Sequence, residues 1–391
     1  MTQSNNGSRL TVPASSEVRK PRICMPTFRN LNRSAYRCSL YEAQDLLVQI
    51  DDVDLIYVEP SRCFRFMETW QRRLIYRDVS KRLAYVNPGL KPVTLTREYD
   101  LFIAVCQNYW DLLYINAITN WESHCKTSVC WFDELWVVDL PRAKYWLGAL
   151  KRFDHIFIGC SGTTGPLSDA ISQTCRWLPG AVDAVLFSPY PNPPRRAVDV
   201  YSIGRRWDGI HRELVREAAH GDMFYMYDTF VEMAEMKVHD FQQHRSMLAN
   251  LAKRSRYFLV APAKMDCPEE TQGQVELSYR YFEGAAAGAV MIGQAPSCEA
   301  FREMFPWPDV VTPIQTDGSD IIPTLAALDS DRATVAAIGR RNAAEALLRH
   351  DWVYRWREIL RVAGIEPSPR LLARERYLKD LADLAFDAAK T

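Results

Sequence analysis

The block SYRYFEGAAAGAVMIG, residues 278–293, sets Arg280 three residues ahead of Glu283, which is expected to open a short helix of small residues that Gly288 ends before an apolar strand. A helix N-terminus bearing an arginine offers positive potential to a phosphate, and the Glu283 carboxylate can accept hydrogen bonds from two vicinal hydroxyls such as those of a ribose. Together they outline a nucleotide-sugar site. The plainer reading is that Glu283 complements the helix dipole and Arg280 is a solvated surface charge. A second stretch, Gly159-Cys-Ser-Gly162-Thr-Thr-Gly165, follows an apolar run and precedes a helical one, where backbone N–H groups can cradle an anion. A tight strand-to-helix turn accounts for the same glycines more simply. The loops of P-loop ATPases, zincins and α/β-hydrolases are missing, as is a G-x-G-x-x-G after the first strand.

These groups need a scaffold. From Pro21 onward, short apolar runs rich in β-branched and aromatic residues alternate with segments of helical period, the pattern of parallel strands joined by helices. The class is α/β. Strands are expected at 22–27, 53–60, 99–106, 127–132 and 154–160, and after a break at 198–204, 222–227, 256–262, 289–293 and 310–314. The break, FSPYPNPPRR from Phe187, holds four prolines and can continue neither helix nor strand. The chain thus divides into a disordered tail (1–19), an N-terminal domain (20–182), a Pro-rich linker (183–197), a second α/β domain (198–365) and a C-terminal helix (366–391).

Forty-eight Lys and Arg balance 48 Asp and Glu, so no net field draws the whole molecule to nucleic acid or anionic lipid, and neither is expected as a partner. Ten cysteines without a C-x-x-C pair or zinc spacing fit a reducing compartment. With no signal peptide and no transmembrane span of 18 or more apolar residues, a soluble cytoplasmic protein is expected.

The run RYFEGAAAGAVMI (280–292) resembles the R-x-F-E-x-x-A-x-G signature of GT-B glycosyltransferases, closest to the CgeB-like (spore maturation) branch of the group 1 family. LPGAVDAVLFSPYP (178–191) is similar to the family's crossover and VDVYSIGRR (198–206) to the first strand of its donor domain. The helix around His350 to Trp356 is similar to its C-terminal helix, and KTSVCWFDE (126–134) to a strand end facing its cleft.

The resemblance implies a GT-B fold: two facing Rossmann-like domains with parallel sheets and a helical C-terminal segment, the first domain for an acceptor and the second for a nucleotide-diphosphate sugar. Residue by residue, Glu283 matches the glutamate that contacts the donor ribose, with Tyr279, Arg280 and Gly284 beside it. Gly204 and Arg205 match the glycine-basic turn near the diphosphate. The lysine usual five residues after that arginine is Ile210 here, leaving Arg206, Arg212 or Lys264 to take its part. The usual pair of glutamates is incomplete, because position 275 is Val and Glu276 comes one residue late. The implied reaction moves a sugar, a hexosyl group, to an acceptor hydroxyl with configuration retained. No metal and no cofactor are expected, because no D-x-D motif stands at a strand end. If configuration inverts instead, Asp133 is the candidate base, with Glu134 and His124 behind it; the bland role for Asp133 is an N-cap or loop residue. A nucleotide-sugar epimerase and a noncatalytic protein that kept the fold are the alternatives, and oligomeric state is left open. Neutrality and the lack of a basic amphipathic stretch argue against a lipid-linked acceptor.

Overall fold

From Leu101 on, the run YDLFIAVC is apolar because it lies inside a sheet with both faces covered, and its one charged residue, Asp100, sits near the strand's start and pairs with Lys126 at 2.7 Å. It forms β3 (Tyr99–Cys106), paired in parallel with β1 (Ile23–Thr27) and β4 (Cys125–Phe132). With β2 (Val53–Tyr57), β5 (His155–Ile158) and β6 (Cys175–Trp177) it builds a six-stranded parallel sheet in the order β2-β1-β3-β4-β5-β6. A second parallel sheet follows, of β7 (Val198–Ser202), β8 (Tyr225–Tyr227), β9 (Ser255–Val260), β10 (Val290–Gly293) and β11 (Val311–Pro313), in the order β11-β10-β9-β7-β8. This is a computed structural model and describes residues 21–229 and 236–387; the tail 1–19 lies outside the described residues.

The α/β class and every expected strand are present, most of them shorter than expected. The strand β6 was not anticipated: three residues including Arg176 at a sheet edge carry little apolar signal. Glu283 does not open its helix. The helix runs Tyr279–Ala286, preceded by Ser278 in extended conformation, so the small residues are its second half and Glu283 stands within it. Gly284 there faces Phe258 and Met291, where an added Cβ would come within 3.0 Å of both side chains.

The two domains share one hydrophobic core. It runs from β1, β3 and the helix Cys38–Ile50 to the helix Tyr279–Ala286 and on to the helices Trp352–Val362 and Pro369–Asp387. Those last two helices return to the first domain: Trp352 and Trp356 pack edge-on against Trp131, and the Trp356 indole donates to the Ala43 carbonyl at 3.0 Å. Arg374 closes the same joint by pairing with Asp183 (2.7 Å) and Asp351 (2.6 Å).

At the centre of this core sits an ionic network. Arg245, in the helix Phe241–Lys253, donates to Glu42 of the first domain (2.6 Å) and to Glu283 of the second, and Arg280 holds the other Glu283 oxygen. The Trp352 indole (2.9 Å) and the Asp183 backbone N–H (2.8 Å) both donate to Glu42 Oε1. Burial alone lowers the pKa of Arg245, but the two carboxylates outweigh it and hold the guanidinium charged. Removing one partner from a buried ionic cluster leaves uncompensated charge and typically costs 3–5 kcal/mol. Arg245→Met is therefore expected to lower unfolding free energy in urea by roughly 3–5 kcal/mol, and Glu42→Gln/Arg245→Met by clearly less. Equal losses in the two would contradict a network that acts as one unit.

Candidate functional site

Strand ends of both sheets open onto one cleft. Residues following β3 (Gln107), β4 (Asp133, Glu134), β5 (Gly159), β7 (Gly204, Arg205) and β9 (Lys264) line a cavity of about 1010 Å³ between the domains. Ligands of open α/β sheets bind at this end of the strands, where the chain changes from apolar to polar as it leaves the sheet.

On the first domain's wall, Asp133 Oδ2 accepts from Gln107 Nε2 (2.8 Å) and Oδ1 from the Tyr279 hydroxyl (2.5 Å), a bond that spans the cleft. Gly180 makes room for it, since a Cβ there would lie 2.7 Å from the Tyr279 ring. Burial pushes the Asp133 carboxyl up to about 7, resisted by the hydrogen bonds from Tyr279 and Gln107 and aided by the charge of Glu134. Glu134 accepts from the Trp136 indole (2.8 Å) and pairs with Lys264 (2.8 Å), which also reaches Glu270 (2.9 Å). Lys264 holds a left-handed backbone, φ 51°, that a side-chain-bearing residue keeps only where its surroundings enforce it.

His124 is not part of this cleft. It ends the short helix Trp121–His124, bonded to Asn120, at the opposite end of β4 from Asp133. A strand of that length, at about 3.3 Å per residue, puts roughly 26 Å between them.

On the second domain's wall, Gly204 takes φ 80° and its N–H donates to Asp228 Oδ2 at 2.6 Å. Arg205 pairs with Asp266 (2.5 Å) and donates to Cys267 Sγ (2.9 Å), while Arg206 donates to the Asp228 carbonyl (2.6 Å). Ile210 is fully buried: the helix Asp208–His220 turns that position into the core beneath the sheet. Glu283 is buried with both oxygens held by Arg245 and Arg280. Burial pushes its carboxyl up, but the two guanidiniums outweigh this and set it below the usual glutamate range. Arg205, Lys264 and Arg280 thus each carry a protein carboxylate.

The glycine-rich turn does cradle an anion, one from the protein itself. Glu276 reaches across from the second domain and accepts from the N–H groups of Ser161 (2.8 Å) and Gly162 (2.7 Å) and from the Ser161 hydroxyl (3.1 Å). Gln274 adds a bond to Thr163 Oγ1 (2.9 Å) and accepts from the Val137 N–H (3.0 Å). At the rim, Cys267, Glu269 and Glu270 bring three ligand-type atoms within 4.8 Å of one another. Sequence reasoning passed over Gln107, Glu42 and Arg245. Gln107 carries the signal that marked Asp133, a polar residue directly after an apolar strand; the other two lie inside helices that only the fold brings together.

Residues 195–361, somewhat under half the chain, match the family model described as glycosyl transferase-like. The structure resembles an alpha-glucosyltransferase solved with UDP-glucose and DNA containing an abasic site, with TM-score 0.54, 12% identity, and 88% of this chain and 99% of that one covered. It also resembles an alpha-glucosyltransferase solved with UDP and a 13-mer DNA containing an HMU base, with TM-score 0.52, 13% identity, and 88% and 99% coverage. At such identities the likeness is one of fold, and that fold is GT-B. The comparison with curated proteins finds no match. These complexes correct the expectation that nucleic acid is excluded as a partner. A net charge of zero is a sum over the whole chain and does not describe any one surface, and proteins of this fold were solved with DNA. Among the described residues no helix is long and apolar enough to cross a membrane.

Asp133 offers a direct test. Its folded value of about 7 lies above the ~3.9 of an unfolded aspartate. Its contribution to stability is therefore fully present below about pH 4 and lost as pH rises through about 7. Asp133→Asn is expected to flatten that decline in pH-dependent denaturation, and Tyr279→Phe to move the Asp133 midpoint upward in carbonyl-carbon NMR. An Asp133 midpoint at the ordinary aspartate value would remove the basis for assigning it proton chemistry.

Proposed function

We propose that this chain is a glycosyltransferase of the CgeB-like branch, moving a hexosyl group from a nucleotide-diphosphate sugar on the second domain to an acceptor hydroxyl on the first. The observation that carries the reading is the composition of the cleft. A carboxyl poised near neutrality, Asp133, lines one wall, and Arg205, Lys264 and Arg280 are cations from the donor side. The family match over 195–361 covers that donor side. An incoming diphosphate would take the place of the carboxylates that now hold these cations, and its charge would be met by guanidinium and ammonium groups without a metal.

In this reading the acceptor oxygen attacks the anomeric carbon from the leaving-group face and the bond to the diphosphate oxygen breaks. That oxygen takes the acceptor's proton, and configuration is retained. Asp133 orients the hydroxyl by accepting its hydrogen bond. A second reading, inversion, is favoured by the raised Asp133 value, which suits a general base near neutral pH. Product NMR separates them: a retained anomer with modest loss in Asp133→Asn supports the first, whereas an inverted anomer with about a 10²–10⁴-fold loss supports the second. We place the reaction in the cytoplasm, a setting that suits ten unpaired cysteines.

The donor reading is tested by thermal shift with UDP, GDP, dTDP, CDP and ADP in EDTA. A nucleotide at a hundred times its dissociation constant adds about 2.7 kcal/mol. One base should stabilise the wild type, and Arg205→Ser should weaken that nucleotide about tenfold, the scale of one charged hydrogen bond. A shift that disappears with EDTA and returns with manganese would overturn metal independence, with Cys267, Glu269 and Glu270 the first residues to examine. No shift from any nucleotide would return the chain to the noncatalytic alternative.

A further inference from the structure

The helix Phe64–Tyr76, between β2 and β3, anchors itself through buried Phe64 and Ile75 but also buries polar side chains and exposes large apolar ones. Its core face includes Glu68, which accepts from the Tyr114 hydroxyl (2.6 Å), and Gln71, which donates to the carbonyls of Leu83 (2.6 Å) and Val86 (2.8 Å). Its solvent face carries Phe66 and Trp70, 68% and 47% exposed, with Met67 beside them. A surface helix ordinarily keeps its large apolar side chains on the core face, and exposed apolar clusters of this kind mark interaction sites.

The charge is equally uneven. Between Arg62 and Arg82 stand seven basic and two acidic side chains, in a chain whose net charge is zero. Of the two acids, Glu68 is buried and Asp78 faces Lys144 at 3.9 Å. Arg62, Arg65 and Arg73 are exposed and make no ion pair among the described residues. This surface joins the first domain's wall of the cleft. The Arg72 guanidinium lies over the Trp110 ring at 4.5 Å and the Tyr76 hydroxyl meets that of Tyr109 at 3.0 Å, and both Trp110 and Tyr109 line the cavity.

We propose that this surface docks the protein on an anionic phospholipid bilayer. Phe66, Met67 and Trp70 enter the boundary between headgroups and acyl chains, and Arg62, Arg65 and Arg73 bind headgroup phosphates. Charge complementarity selects a polyanion, and the aliphatic content selects lipid among polyanions. Val79 and Val86 of the same segment are 61% and 49% exposed, and such side chains gain free energy among acyl chains but offer no stacking face to a nucleobase. The expected absence of a basic amphipathic stretch is corrected here. The segment escapes a search for apolar residues on the core face because its exposed apolar residues lie on the other one. Docking stands on this surface alone; its use, presenting the acceptor wall to a membrane-borne acceptor, rests on the transferase reading.

The test is sedimentation of the full-length protein with vesicles of phosphatidylcholine alone and of phosphatidylcholine with phosphatidylglycerol. Wild type is expected to sediment with the anionic vesicles only. Arg62→Gln/Arg65→Gln/Arg73→Gln should weaken binding roughly a hundredfold, at about 1 kcal/mol per arginine. Phe66→Ser/Trp70→Ser should lose sedimentation with the anionic vesicles, and a blue shift of indole emission on vesicle binding should be present in wild type and smaller in Trp70→Phe. Both variants should keep the wild-type melting temperature, because the replaced side chains stand outside the hydrophobic clusters. Binding to neither vesicle, equal binding to both, or unchanged binding by the variants would overturn the proposal. So would tighter binding of a short DNA duplex through the same residues, which would assign the surface to nucleic acid. The nucleotide thermal shifts do not involve these residues, so either result can fail while the other stands.

Discussion

Arg245 is the group on which the rest of the structure depends. A guanidinium withdrawn from water must be met by carboxylates, and its two partners come from opposite domains: Glu42 from the helix Cys38–Ile50 and Glu283 from the helix Tyr279–Ala286. Buried ion clusters add little net stability, but they penalise every arrangement that separates their members. Once Glu283 is pinned, the start of its helix is pinned with it, and that start carries Tyr279 and Arg280. The bond from Tyr279 to Asp133 across the cleft follows from a clamp in the core.

The same logic governs the cleft. Arg205, Lys264 and Arg280 are each neutralised by protein carboxylates, and the backbone cradle at Ser161 and Gly162 on the opposite wall is filled by Glu276. An anionic ligand entering such a site exchanges partners with the protein's own carboxylates, so its net gain is the difference between two charged sets of hydrogen bonds. Discrimination is the natural result. A diphosphate that reaches several cations at once can displace their partners, while a single phosphate gains little over the carboxylate it removes.

Much of the fold was legible because burial writes itself into composition: β3 is apolar from Leu101 to Cys106 and has the expected boundaries, and Asp133 is the first polar residue after β4. What was not legible depends on three dimensions. His124 and Asp133 are nine positions apart in the chain, but an extended strand turns that proximity into distance. The glutamate that comes one residue late, Glu276, serves in the closure of the domains, a role no spacing rule within one domain can describe. Ile210 was read as a missing lysine, whereas the helix turns the position inward, where a lysine would be buried.

Neutrality misled for a related reason. A whole-chain charge of zero is met locally at Arg245 in the core and at Arg205 and Lys264 in the cleft, each of which has its acid. It is not met between Arg62 and Arg82, where the acids are buried or already paired and the exposed face is aromatic and basic. A balanced total therefore implies that the surplus of acid lies elsewhere in the chain. A stretch can be basic while the chain is neutral in sum, and a local field of that kind orients a protein on a charged surface without drawing it there from afar.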